Sequence, residues 1–454
     1  MATQVHHLSI SPLTAHAFNA DRSKVAVSPN SNEVHIYASS ANGWTLEHVL
    51  NEHDKLVTGI DWAPQSNRLV TCSQDRNAYV WTLQADETGK SIWKPTLVLL
   101  RLNRGATFVR WSPNEDKFAV ASGARIISIC SFESDNDWWV AKHIKKPLRS
   151  TVLSVDWHPN NVLLAAGCAD MRARVFSAFI KGVDARPAPS VWGERLPFGT
   201  LCGEFASPAG GWVHAVGFSP SGDSLAFAGH DSSLTIVYPS GPEAPPHATH
   251  VLRSPTLPHV ALQWVSEESL VAAGHDCQPI LFSGSAEQGW KVDKTLDSAA
   301  AANGGGGGGS GIAGKAPPPP PPVGAKPAGL AGGPGRLSGE AFNRFKAADV
   351  RGQSASAGLP SNSDGASTPS GGSGSSVLNH LGGIAGASVG ADGELHTTHQ
   401  NTITSVRAYS GGAASGGPVT AVSTSGVDGR LCVFDVGKGA ALGSVVKGVE
   451  SMRV

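Results

Sequence analysis

Residues 58–83 read TGIDWAPQSNRLVTCSQDRNAYVWTL. An apolar run ends in an aromatic (Trp62), and a turn rich in Pro, Asn and Ser follows. A second run of small and β-branched residues comes next, then a tight turn carrying Asp75, then a third run ending in Trp81. Alternating or wholly apolar runs of four to eight residues between turn signals read as strands. The same grammar recurs near Thr14 (TAHAFNADRSKVAVSPNSNEVHIY), Thr107 (TFVRWSPNEDKFAVASGARIISICSF) and Leu153 (LSVDWHPNNVLLAAGCADMRARVF). Further copies begin near His214 (HAVGFSPSGDSLAFAGHDSSLTIVY) and His259 (HVALQWVSEESLVAAGHDCQPILF). A seventh, near Thr404, is interrupted by SGGAASGGP and closes with SGVDGRLCVFDV.

The aromatics that end the first run are Phe18, Trp62, Trp111, Trp157, Phe218 and Trp264, spaced by 44, 49, 46, 61 and 46 residues. About 100 extra residues separate copies six and seven. Setting residues 297–402 aside leaves about 50 residues per copy, the repeat length of a propeller blade. The expected fold is therefore all-β: a seven-bladed propeller with a long insert between blades six and seven. Residues 1–296 supply blades one to six and a closing strand, 297–402 the insert, and 403–454 the seventh blade and a tail. Each copy gives the three inner strands of a blade and the residues between copies give the outer one. Val5 to Ile10 alternates ahead of the first copy and is expected to be the outer strand of the last blade, so that no long free edge remains.

His53, Thr71, Asp75 and Trp81 form a polar set of the WD-repeat kind. In a blade Asp75 would accept from His53 while Thr71 closes toward the Trp81 indole, pairing groups that burial would otherwise penalise by about 1–3 kcal/mol each. Asp170, Asp231, Asp276 and Asp428 repeat the turn position. His230–Asp231 and His275–Asp276–Cys277 therefore read as turn residues, where Asp favours a local backbone hydrogen bond, and no metal ligand set or catalytic group is expected. The chain has no Gly-rich phosphate loop, nucleophile elbow or HExxH, so no cofactor is expected.

The 454 residues carry a net charge of −1 and a pI near 7.0, which gives no global electrostatic grip on nucleic acid. Six cysteines without CxxC spacing, with Cys72, Cys130, Cys168, Cys277 and Cys432 expected in strands, read as free buried thiols of a reducing compartment. The opening MATQVHHLSISPL is no signal peptide, and no apolar run is long enough to span a membrane.

From Ala299 the composition changes to runs of Gly, Pro and Ser that cannot bury enough apolar surface to offset chain entropy. Pro317 to Pro322 suits a polyproline II rod, a ligand for an SH3 domain or profilin and equally a spacer. Within this insert, residues 335–352 (GRLSGEAFNRFKAADVRG) read as a short amphipathic helix near 338–351. Ser338 is its N-cap and Gly352 its stop. Leu337, Ala341, Phe345 and Ala348 share a face with Phe342 at its margin, and Arg344 and Lys346 add charge. Such a helix is marginal alone in water, so two Phe on it point to a partner groove, with packing on the propeller as the other outcome.

The chain resembles the WD-repeat subunit (subunit 1) of the actin-related protein 2/3 complex. The likeness is dense in EHDKLVTGIDWAPQSNRLVTCSQDRNAYVWTL, WKPTLVLLRLNRGATFVRWSPNEDKFAV, NDWWVAKHIKKPLRSTVLSVDWHPNNVLLAAG, FIKGVDARPAPSVWGERLPFG and SLVAAGHDCQPILF. These stretches include loop residues that a propeller does not require. The resemblance implies a non-enzymatic scaffold, cytoplasmic and associated with cortical actin patches, packed against small structural subunits and an actin-related protein. It also implies that the insert helix touches the actin filament or nucleation-promoting factors, with Leu337, Phe342 and Phe345 as apolar anchors and Arg344 and Lys346 facing acidic actin. Lys145, Lys146 and Arg149 form a basic stretch between blades that suits an acidic partner subunit or a solvated loop. The other readings are an adaptor of a different assembly, such as a ubiquitin ligase, and a propeller enzyme with polar residues in its channel.

Overall fold

The computed structural model describes residues 2–41, 43–242, 244–297, 395–412 and 417–437. Among them, 28 strands form seven four-stranded antiparallel sheets. Six blades are simple meanders. Blade two, for example, runs Val57–Trp62, Leu69–Ser73, Ala78–Ala85 and Ser91–Val98 from the channel outward. All these strands lie in one unit, residues 1–306 and 382–454.

The ring closes through blade seven. Its sheet orders Ile403–Gly412, Gly417–Gly426 and Arg430–Asp435, with Ala2–His7 as the outer strand. The closing strand pairs Val5 with Cys432 and His7 with Arg430. It lies three residues upstream of Val5 to Ile10, the stretch whose alternation suggested it. The chain leaves the ladder at Leu8, whose carbonyl accepts the Tyr37 hydroxyl at 2.8 Å, and crosses toward blade one with Ile10 in solvent. The described residues of the glycine-rich interruption lie in the two long inner strands, Ile403–Gly412 and Gly417–Gly426, where Gly412 pairs with Gly417. Gly411 there has φ 78°, and a Cβ would sit 2.1 Å from the Pro418 carbonyl oxygen, so only glycine fits.

Burial explains the repeat pattern. Second strands such as Leu69–Ser73 and Leu163–Cys168 are buried at every position, because blades stack against neighbours on both faces. Outer strands such as Ala248–Arg253 alternate instead, with one face in water. Each terminal aromatic of the first strand is buried between two blades. Trp62, for instance, packs with Ala17, Ala26 and Ile36 of blade one, and Trp264 with Ala226 and Ile236 of blade five. Truncating one to Ala would cost about 3–5 kcal/mol.

Six inner strands carry a bulge at the first residue of the copy, shown by register shifts such as Val57/Gly59, Ala106/Phe108 and Ile403/Ser405. The bulge aims that side chain at the next blade. Thr58 Oγ1 donates to the Ala106 carbonyl at 3.0 Å, Thr107 Oγ1 to Val152 at 2.6 Å and Thr404 Oγ1 to Leu13 at 2.7 Å. The recurrent threonine is thus a staple between blades.

The 61-residue spacing between Trp157 and Phe218 has its cause in residues 178–200, a strap between the third and outer strands of blade four. Trp192 in the strap is fully buried and its indole donates to the Gly222 carbonyl of blade five at 2.8 Å. Asp184 pairs with the fully buried Lys117 of blade three and accepts from Ile180 N at 2.7 Å and Asn161 Nδ2 at 3.0 Å. The strap therefore ties blades three, four and five together.

Candidate functional site

Leu337, Phe342, Arg344, Phe345 and Lys346 of the insert helix, and Pro317 to Pro322, lie outside the described residues. The base of the insert is described. The outer strand of blade six, Gly289–Thr295, ends at Asp297, which is 1% exposed. Its carboxylate accepts from Thr398 N at 2.5 Å and Thr398 Oγ1 at 3.0 Å. The two ends of the insert thus meet. The connection from an outer strand to the next inner strand opens at the same end of the ring as the turns between second and third strands. The insert departs from that end.

His53 and its partners lie in blade two at the same end. His53 Nδ1 donates to Asp75 Oδ2 at 2.7 Å, His53 Nε2 accepts from the Thr71 hydroxyl at 2.8 Å, and the Trp81 indole donates to Thr71 Oγ1 at 3.0 Å. Burial would raise the Asp75 carboxyl, but the His53 bond and backbone N–H groups hold it below its ordinary value. Blade seven contains a second set that the sequence reading missed. His399 Nδ1 lies 3.1 Å from Asp428 Oδ1 and His399 Nε2 2.7 Å from Thr424 Oγ1. Phe434 occupies the place of Trp81, so that chain stops at the threonine. The Asp428 motif is visible, but residue 399 falls within 297–402, the stretch assigned to the insert. His399 bonds residues of blade seven from ahead of that blade's first strand, Ile403–Gly412.

Lys145, Lys146 and Arg149 occupy the loop between Trp138–Ile144 and Val152–Trp157, with their side chains exposed. Leu148 anchors the loop by burial, and Arg149 N donates to Asp170 Oδ2 at 3.1 Å. Exposed Lys55, Arg76, Arg104 and Arg125 stand on equivalent loops and turns of blades two and three. The basic stretch thus continues a set of exposed cations at this end of three blades, with the exposed Glu52 and Asp54 interspersed beside Lys55.

The His–Asp pairs sit in turns. Asp231 accepts from Ser233 N at 3.3 Å, the Ser233 hydroxyl at 2.6 Å and Ala209 N at 3.2 Å, and Asp276 accepts from Leu257 N at 2.8 Å. His230 instead meets His214 at 2.8 Å and stacks on the exposed Trp212. Burial, with His230 and His275 nearby, pulls His214 down to about 4. Among the described residues no group of three or more His, Cys, Asp or Glu is arranged to hold a metal ion, and no helix is long and apolar enough to cross a membrane. All six cysteines are buried and free. Burial pushes Cys72 and Cys202 up to about 12 and Cys277 to about 11, the reverse of an activated thiol. Cys277 is in a turn at φ 61° rather than a strand, and Cys202 is in a strand.

The central channel holds a cavity of about 260 Å³ lined by Thr14, Thr58, Thr107, His214, Arg110 and Arg407 among others. Arg407 Nη1 donates to Asp61 Oδ1 at 2.5 Å and Nη2 to the Ile60 carbonyl at 2.7 Å. Burial, with Arg110 adding to it, pulls Arg407 down to about 10, which leaves it protonated at neutral pH. Burial raises Asp156, 3.7 Å from Arg110 Nε. Arg407 is thus spent on Asp61 and a backbone carbonyl, while Arg110 Nε is buried without a hydrogen-bond partner.

A model of the WD domain, G-beta repeat, matches residues 44–82 and 142–177. A Schizosaccharomyces pombe protein, actin-related protein 2/3 complex subunit 1, is 59% identical over 299 residues, spanning 66% of this chain and 78% of that protein. Subunit 1A-B of the complex from Xenopus laevis is 56% identical over 63% of this chain and 75% of its own length. Subunit 1 from Saccharomyces cerevisiae is 43% identical over 65% and 74%. Among solved structures, Sqt1 from Chaetomium thermophilum superposes with a TM-score of 0.50 at 15% identity, covering 64% of this chain and 73% of that one, a likeness of fold alone.

Proposed function

The chain belongs to the family of actin-related protein 2/3 complex subunit 1, and on that footing we propose that it is the propeller scaffold of that complex, supporting nucleation and branching of actin filaments. Family and fold are those of a non-catalytic WD-repeat scaffold. The observation that carries the reading is identity of 43–59% to relatives from two yeasts and a frog over about three quarters of their length. Its partners are the other subunits of the complex, the small structural ones and an actin-related protein. Its place is the actin cytoskeleton of the cytoplasm, at cortical actin patches.

Within the complex, the insert helix meets actin of the filament or a nucleation-promoting factor, using Leu337, Phe342 and Phe345 as anchors and Arg344 and Lys346 for charge. Support comes from its sequence pattern and from the pinned base at Asp297 and Thr398, which starts the insert from a fixed point. Lys145, Lys146 and Arg149 face an acidic partner, supported by the set of exposed cations they continue. Pro317 to Pro322 serves as spacer or as a profilin or SH3 ligand.

Co-purification of the tagged chain with actin-related proteins tests membership; recovery with ubiquitin-ligase components instead would favour the adaptor reading. In the assembled complex, Phe342→Asp with Phe345→Asp leaves assembly intact and weakens branching. Unchanged branching would remove the helix from the mechanism.

A further inference from the structure

The residue just before each terminal aromatic is Ala17, Asp61, Arg110, Asp156, Gly217 and Gln263 in blades one to six, and Arg407 holds the corresponding place in blade seven. Four of these are charged, and their contacts run in sequence around the channel. Arg407 of blade seven reaches past blade one, where Ala17 is too short to fill the position, and bonds Asp61 Oδ1 and the Ile60 carbonyl of blade two. Asp61 Oδ2 accepts Trp111 N of blade three at 2.7 Å, while Oδ1 stands 3.9 Å from Arg110 Nη1. Arg110 Nε lies 3.7 Å from Asp156 Oδ1, and Asp156 Oδ2 accepts Phe218 N of blade five at 3.0 Å. A chain of alternating charge therefore links blades seven, two, three, four and five without passing through the outer strands. The Arg407–Asp61 link is a charge-assisted hydrogen bond, stronger than a surface ion pair, whereas Arg110 meets Asp61 and Asp156 only as ion pairs at 3.9 and 3.7 Å, its Nε without a hydrogen-bond partner.

We propose that this channel chain is a second closure of the ring, independent of the terminal strand, holding blade seven to blade two when the pairing of Ala2–His7 with Arg430–Asp435 opens. Two features give this closure a place beside the bonds between blades seven and one, Thr404 Oγ1 to the Leu13 carbonyl and Arg22 Nε to the Tyr409 carbonyl. The terminal strand is an edge strand six residues long, held on one side only. Blade seven is also the blade joined to blade six in sequence only through the insert, whose base Asp297 and Thr398 pin. The buried His16, whose ring nitrogens lie 2.9 Å from Ser423 Oγ and Ser425 Oγ, joins blade one to blade seven. Arg407 alone among the described residues joins blade seven to blade two by a charged contact.

The test uses the full-length chain and hydrogen exchange read by mass spectrometry. Val5→Pro with His6→Pro removes at least one ladder N–H, because alternate residues face the partner strand. Exchange should then rise across 430–435, while 403–412 stays within about twofold of the parent. Adding Arg407→Met should accelerate exchange in 403–412 by about tenfold or more, and Arg407→Lys in its place should return most of the protection. Asp61→Asn should reproduce the Arg407→Met effect without adding to it. Fast exchange of 403–412 in the double-proline variant alone would overturn the proposal, and so would an equal effect of Arg407→Met with the terminal strand intact or opened.

Discussion

Asp297 and Thr398 are 101 positions apart in the chain, yet the carboxylate of one takes both the backbone N–H and the hydroxyl of the other. The contact closes the base of the insert against blade seven, where His399 is fully buried and Gln400 N donates to Asp428 Oδ2 at 2.8 Å. Asp297→Ala leaves a buried N–H and a hydroxyl short of a partner and should cost about 1–3 kcal/mol. Faster hydrogen exchange across 395–402 is the signature, with the channel-facing strands of blades two and three unchanged. Because the ends already meet, replacing 299–393 by a linker of roughly 12 residues should raise stability by about 2 kcal/mol through loop-closure entropy. A loss on denaturant titration would show that the insert contributes packing of its own.

The two histidine sets give an internal comparison. Thr71→Val strips partners from both His53 and Trp81 and should cost about 2–3 kcal/mol. Trp81→Phe, which copies the natural state of blade seven with Phe434, should cost about 1 kcal/mol because His53, Thr71 and Asp75 keep their bonds. Equal losses in chemical denaturation would contradict the chain of bonds.

Lys117 and Asp184 hold the blade-four strap through a buried ion pair. Lys117→Met leaves the carboxylate uncompensated and should cost about 3–5 kcal/mol. The double change Lys117→Met with Asp184→Asn keeps an acceptor for Ile180 N and should recover most of it. A double variant no more stable than the single one would mean that the charge itself, rather than its pairing, matters to the strap.

Acid should weaken the ring in two stages. Burial holds His158 and His259 at about 4, and His16 well below its ordinary value, so each is neutral when folded. The unfolded chain protonates these groups near pH 6.5. Between there and pH 4 it binds more protons than the folded chain, and stability falls as pH falls, by order 3 kcal/mol for each of His158 and His259. Asp75 and Asp428, both depressed, contribute stability above the unfolded value of 3.8 that is lost as pH falls further. A urea midpoint flat between pH 6.5 and 4.5 would refute the first stage.

The repeat made the blades legible because each demands the same sequence of buried and turning residues, and the alternation of Val5 to Ile10 pointed to the closing strand, three residues from its place at Ala2–His7. The strap of blade four appeared only as a long spacing. Its ordering depends on Lys117, sixty-seven residues upstream of Asp184, and no local pattern announces such a pair. The channel charges were present one place before each aromatic, in GIDW, FVRW and SVDW, but periodicity weighs burial and passes over sign. His399 was hidden by composition: a few ordered residues beside a long glycine-rich stretch take on its character in any window average.

The outer strand of blade seven is also made more than 400 residues ahead of its partner, Arg430–Asp435. At about 5–20 residues per second, the wait is between about 20 and 90 seconds. Through that interval the nascent chain holds blades one to six as an open arc with an unpaired leading segment. The hairpin made last in the ring, rather than the first, decides when the circle exists.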